Sequence, residues 1–117
     1  MAKEINDVLL EEDQWKEEAA AVVQDVKDHL KEIRVSEILR GNEREIHFNL
    51  TTLEENTFCV QLSSSGFRIV SRSYDTNSIS DGPSFETPYS LLNSISEKFK
   101  ESFGHALEAK LQALQGT

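Results

Sequence analysis

The sequence predicts an α+β domain: an N-terminal helix, an antiparallel β-meander of about four strands, and a C-terminal helical segment packed on the sheet. Three observations carry this. From Asp13 onward apolar residues recur at helical spacing. The middle of the chain alternates apolar and polar residues in short runs divided by turn formers. A Thr-Pro pair then opens a last region rich in helix formers.

The first element is "DQWKEEAAAVVQDVKDHLKEI". Asp13 suits an N-cap, and Glu17 and Glu18 suit the positive end of the helix dipole. Trp15, Ala19, Val22, Val23, Val26, Leu30 and Ile33 fall within an arc of roughly 100°, which is one narrow buried stripe. Residues 1–12 read as an N-terminal extension and 13–117 as a single domain.

Four β segments follow. "VSEIL" is the weakest. "EIHFNL" puts Ile46, Phe48 and Leu50 on one face, "TFCVQL" does the same with Phe58, Val60 and Leu62, and "GFRIVSRSY" is a further β-rich run. Breaks at Gly41-Asn42, Glu54 to Asn56 and Ser63 to Gly66 suit hairpins. Polar residues at the alternate positions imply one wet face and one face covered by helix. "DTNSISDGPSFE" reads as a loop. Thr87 then serves as N-cap with Pro88 in the first turn, and Ser96 caps a last helix that stops before Gly116.

Composition limits the function. With 117 residues the chain suits one domain. A formal net charge of −9 disfavours nucleic acid and anionic membrane as partners. No apolar run approaches the ~20 residues of a membrane span, and the N-terminus lacks the basic-then-apolar pattern of a secretory signal. Cys59 is the single cysteine, so no internal disulfide and no thiolate metal site can form. Cytosol or nucleus is the expected location.

Catalytic chemistry has little to build on. His29, His47 and His105 fall on separate elements, each at a position that reads as solvated. Cys59 reads as an inert strand residue, and the carboxylate runs as solvated helix faces. The expectation is a protein with no catalytic residue, no metal and no cofactor.

The last helix is different. Taking Phe99 as zero, Ala113, Ala106, Phe103, Leu114, Leu107 and Leu111 spread over about 160°, with Lys110 inside the arc. One edge suffices for core packing. The surplus edge suits docking in a partner's groove, burial of both edges in the core, or a homodimer contact.

"EAAAVVQDV", "FCVQL" followed by "GFRIV", and "ETPYSLLNSISEKFKESFGHALEAKLQAL" together resemble the glycogen synthase kinase-3 interaction protein family. The resemblance runs from about Glu18 to Leu114. It is most specific at "YSLL", Tyr89 to Leu92, and in the spacing F-x-x-x-F-G-x-A-L from Phe99 to Leu107. It implies a non-enzymatic regulator whose C-terminal helix binds the kinase, inhibiting it or placing it in a complex and so acting on β-catenin phosphorylation and Wnt signalling. That helix is similar to the kinase-binding helix of the scaffold axin, with the pattern L-x-x-[KR]-L-x-A-[VL]-Q. The residues implied are Phe99, Phe103, Leu107, Lys110, Leu111 and Leu114. The resemblance also implies a second partner, the regulatory subunit of protein kinase A, on the first helix around Val23 and Val26. That docking needs an apolar pair four residues apart, which aligns with Val23 and Lys27, and Lys27 breaks it. The same domain occurs in a larger mitochondria-clustering protein, so a binding module with another partner is the alternative.

Overall fold

The computed structural model describes residues 12–115, with the side chains of residues 13–115. The expected N-terminal extension falls largely, and the helix stop at Gly116 entirely, outside these residues. The chain runs α1 (Glu12–Val26), a single 3-10 turn (Lys27–His29), β1 (Glu32–Val35), β2 (Glu45–Thr51), β3 (Thr57–Ser63), β4 (Gly66–Ser71), β5 (Ser84–Phe85), α2 (Pro88–Ile95) and α3 (Glu97–Gln115). The strands form one sheet in the order β1-β2-β3-β4-β5, every neighbouring pair antiparallel. The α+β class and the order of elements agree with the sequence reading.

The core lies between one face of the sheet and the helices. Ile46, Phe48 and Leu50 of β2 stand opposite Leu62, Val60 and Phe58 of β3, and Val60 and Leu62 in turn face Ile69 and Phe67 of β4. Trp15, Ala19 and Val26 of α1, Leu91 and Leu92 of α2, and Phe99 of α3 close over them, all buried. Trp15 also donates from its indole Nε1 to the Glu43 carbonyl at 2.8 Å, which ties the start of α1 to the β1–β2 loop.

Several boundaries differ from the expectation, each for a physical reason. α1 stops at Val26, so Ile33 is a strand residue and "VSEIL" is not a strand beyond Val35. Ile33 stands three residues after Leu30, a helical spacing, and two before Val35, a strand spacing. Pairing of β1 with β2, with Lys31 N–H donating to the Thr51 carbonyl at 2.9 Å, decides between them. Asp13 lies in the first turn of α1 rather than capping it. A fifth strand, β5, sits inside the stretch read as loop. It can approach because residue 66 is glycine: φ is +109°, and a Cβ there would lie 2.3 Å from the Phe85 carbonyl oxygen.

The second face of the sheet is not wet. His47, Asn49, Cys59, Gln61 and Ser71 are all buried there, beneath the segment from Arg72 to Gly82. Asn49 Nδ2 donates to Asp75 Oδ1 at 2.7 Å, and Asp75 N–H returns a bond to Asn49 Oδ1 at 2.8 Å. Ser36 Oγ donates to the same Asp75 oxygen at 2.6 Å. These bonds hold the Asp75 carboxyl below its usual range. A register shift between Cys59 and Val60 leaves Val70 outside the β3–β4 ladder, and its carbonyl accepts from Ser78 and Ile79 N–H, each at 2.8 Å. The strap thus uses backbone groups that the bulge releases.

Asn49→Ala therefore strips the strap of its paired side-chain contact. A loss of about 2 kcal/mol is expected in urea unfolding. Native-state exchange of the Ser78 and Ile79 amides should accelerate, and that of β2 and β3 much less. Unchanged exchange in the strap would show that Asn49 does not hold it.

Candidate functional site

α3 begins with two nested caps. Ser96 Oγ accepts from Phe99 N–H at 2.9 Å and donates to Glu54 Oε1 at 2.7 Å. The other Glu54 oxygen accepts from Lys98 N–H at 2.9 Å. The β2–β3 turn therefore places a carboxylate on the positive end of α3. The Lys98 N–H and then the Ser96 hydroxyl lower the Glu54 carboxyl to about 2 from 4.5.

The first half of α3 is held by rings. Phe99 stacks on Phe103 with centroids 5.4 Å apart, and Phe103 stacks on Tyr89 of α2 at 4.9 Å. His29, in the 3-10 turn, meets both phenylalanines edge-on at 6.0 and 5.3 Å, with Nδ1 2.7 Å from Ser102 Oγ. Tyr89 donates to Asp25 Oδ2 at 3.0 Å. Burial, together with that carboxylate, pushes the Tyr89 hydroxyl up and keeps it a donor. α3 packs on the 3-10 turn and α2, and α2 is the helix that lies against β4 and β5.

The second half of α3 stands open. Leu107 is 50% exposed, Leu111 53% and Leu114 75%. Lys110 beside them is exposed too. The apolar surplus is thus divided along the helix, not between two edges: Phe99 is fully buried, Phe103 half-buried, and everything from Leu107 onward exposed. Of the residues expected to meet a partner, Phe99 and Val26 have no accessible surface, while Val23 and Phe103 are half-buried against the core. Lys27 is exposed in the 3-10 turn, past the end of α1.

The histidines do not converge. His105 is exposed, as expected. His47 and His29 are less solvated than expected: His29 is half-buried, and His47 is 3% exposed, with Nε2 3.2 Å from Asn77 Nδ2 beneath the strap, and burial lowers its pKa. Their strand and helix periods hid this, because the covering segments are distant in sequence. Cys59 is fully buried, and burial raises its thiol. Among the described residues no group of three His, Cys, Asp or Glu side chains could hold a metal. The space between Phe48, Leu50, Phe67 and Leu91 measures about 10 Å³, room for one water at most. Sequence reasoning missed Glu54, whose role as a cap depends on a turn folding back onto a helix more than 40 residues later.

This arrangement defines a small α+β domain that holds a helix by its first half and displays leucines on the second. The sequence model of the GSKIP domain matches residues 15–114. A chicken (Gallus gallus) "GSK3-beta interaction protein" is 39% identical over 99 residues, covering 84% of this chain and 71% of the relative. A human (Homo sapiens) "GSK3B-interacting protein" is 36% identical with the same coverage. A fly (Drosophila melanogaster) "Protein GSKIP homolog" is 32% identical over 96 residues, 78% of this chain and 79% of the relative. The chain belongs to the GSKIP domain family.

The Glu54 cap makes α3 sensitive to acid. Its pKa is depressed, so the unfolded state takes up the proton first, and the contribution to stability is complete above pH 4.5 and lost as pH falls through about 2. Glu54→Gln should unfold at lower urea than the parent at pH 7, with the gap closing toward pH 2. A pH-independent gap would mean that the carboxylate charge is not what caps α3.

Proposed function

We propose that this chain is a non-enzymatic regulator that binds glycogen synthase kinase-3 through the second half of α3. The observation that carries this is the row of half-to-mostly exposed leucines, Leu107, Leu111 and Leu114, on a helix whose phenylalanines, Phe99 and Phe103, are turned to the core. An amphipathic helix laid in an apolar groove is recognised through anchors at this spacing. The names of the relatives, which give GSK3 as what those proteins interact with, support the choice of partner.

Leu107, Leu111 and Leu114 form the contact surface, and Lys110 borders it. Phe99 and Phe103 contribute by holding the helix. Docking occupies a surface of the kinase, inhibiting it or placing it in a complex with consequences for β-catenin phosphorylation and Wnt signalling, in cytosol or nucleus. No cofactor is needed for binding of this kind. No helix among the described residues is long and apolar enough to cross a membrane. Neither nucleic acid nor a membrane surface is proposed as a partner, given the net charge of −9.

Leu111→Ala tests this. Its side chain is half exposed, so the urea midpoint should shift by no more than ~0.5 kcal/mol equivalent. Kinase affinity should fall by roughly thirtyfold. Unchanged affinity would remove the anchor role, and a collapsed midpoint would make Leu111 a core residue.

Anchoring of the protein kinase A regulatory subunit on α1 is expected to be weak or absent. Val26 is fully buried, and the helix ends before Lys27. Titration with that subunit checks this, and tight binding by the parent chain would show that α1 docks in another way. Lys27→Leu should strengthen any residual binding.

A further inference from the structure

Gly104 stands in the interior of a 19-residue helix. Glycine is among the least favourable residues for that position, because it gives up the most backbone freedom on folding. A helix usually accepts it where something comes too close for a side chain. Here nothing does: a Cβ built on Gly104 meets no atom within 4 Å. The chain's own fold gives no reason for the glycine.

Its absent side chain has a visible result. An open depression of about 440 Å³ runs along α3 past Gly104, from Glu97, Lys100 and Glu101 to Leu107, Glu108 and Leu111, with His105 beside it. Lys100, Glu101, Leu107 and Glu108 are the positions three and four residues on either side of Gly104, so its missing side chain opens the middle of the depression, and the rest is open helix surface. Gly104, Leu107, Leu111 and Leu114 follow each other at i, i+3, i+7 and i+10, the spacing of a single docking stripe. The gap is the first position of the stripe whose later positions carry the exposed leucines.

The geometry points to Gly104 as a specificity-determining position of the docking surface: the kinase seats an apolar side chain in the depression, against the helix backbone and Leu107. This rests on the reading of α3 as the kinase-docking helix and extends its footprint one turn toward the core. The glycine gives up helix stability so that the partner can approach the backbone, as small residues do wherever two elements pack closely. It also discriminates. A partner with a flat groove gains nothing from the gap, whereas one with a protruding apolar group gains a socket.

The test uses the full chain with Gly104→Gln and Gly104→Ala, beside Leu111→Ala, each measured for kinase affinity and thermal midpoint. Both glycine replacements enter open space, so both midpoints should rise, by about 4 °C or more. Affinity should move the opposite way, at least tenfold weaker for Gln, which fills the socket, and less for Ala. Parent-like affinity of Gly104→Gln with weakened Leu111→Ala overturns this inference and leaves the docking reading standing. Parent-like affinity of Leu111→Ala overturns the docking reading and this inference with it. A fall in the midpoint of Gly104→Gln would mean that the glycine serves the chain's own fold, which also overturns it.

Discussion

The burial of Phe99 is the contact on which the rest of α3 depends. Most helical stability in proteins comes from tertiary packing, and the costly step is fixing the first turn. Here that turn is fixed from outside. Ser96 and Glu54 satisfy its N–H groups, and Phe99 reaches the core with no exposed surface. Phe103 then stacks between Phe99 and Tyr89, so the second turn is held as well. Beyond Ala106 the helix adds one hydrogen bond per residue without needing tertiary contacts, and its residues favour this: Leu, Glu, Ala, Lys and Gln are strong helix formers. A buried aromatic at one end thus permits an exposed apolar stripe at the other.

The sheet serves the same end from below. Its inner face is continuous across β2, β3 and β4, and α1 and α2 cover it. Its outer face is polar yet buried, and the Asn49–Asp75 pair with the Val70 carbonyl anchors the strap that covers it. Buried polar groups of this kind cost free energy unless paired, so they select one placement of the strap rather than adding bulk stability. The β2–β3 turn that carries Glu54 is therefore rooted in a strand pair buried on both sides, which gives the cap a fixed position.

Much of this was legible because it is local. Thr87 with Pro88, Ser96 before the last helix, and the alternation in "EIHFNL" and "TFCVQL" are patterns a few residues long, and each element formed where its pattern stood. What could not be read is what distant segments cover. Ile33 fits a helix and a strand equally by spacing, and only pairing with Leu50 decides. His47 alternates with apolar residues as a solvated side chain would, and only a strap some 30 residues away buries it. The helical wheel of α3 showed a surplus in angle, but angle alone does not say how far along its axis a helix touches its own domain. Gly104 drew no such reading from the sequence. Its meaning needed the knowledge that nothing in the fold crowds it.

Displaying leucines carries a hazard, since an apolar stripe on one molecule can meet the same stripe on another. Several features limit this. The stripe is short, confined to the last turns of one helix. Exposed Glu101, Glu108 and Lys110 lie next to it. The net charge of −9 makes two copies repel before their stripes can meet. The gap at Gly104 works in the same direction. Where a self-pair brings the two gaps face to face, it leaves a void and loses the contacts that a filled socket supplies. A partner that brings the protrusion does not suffer that loss. The residue that weakens the helix is thus also the one that biases it toward a foreign surface.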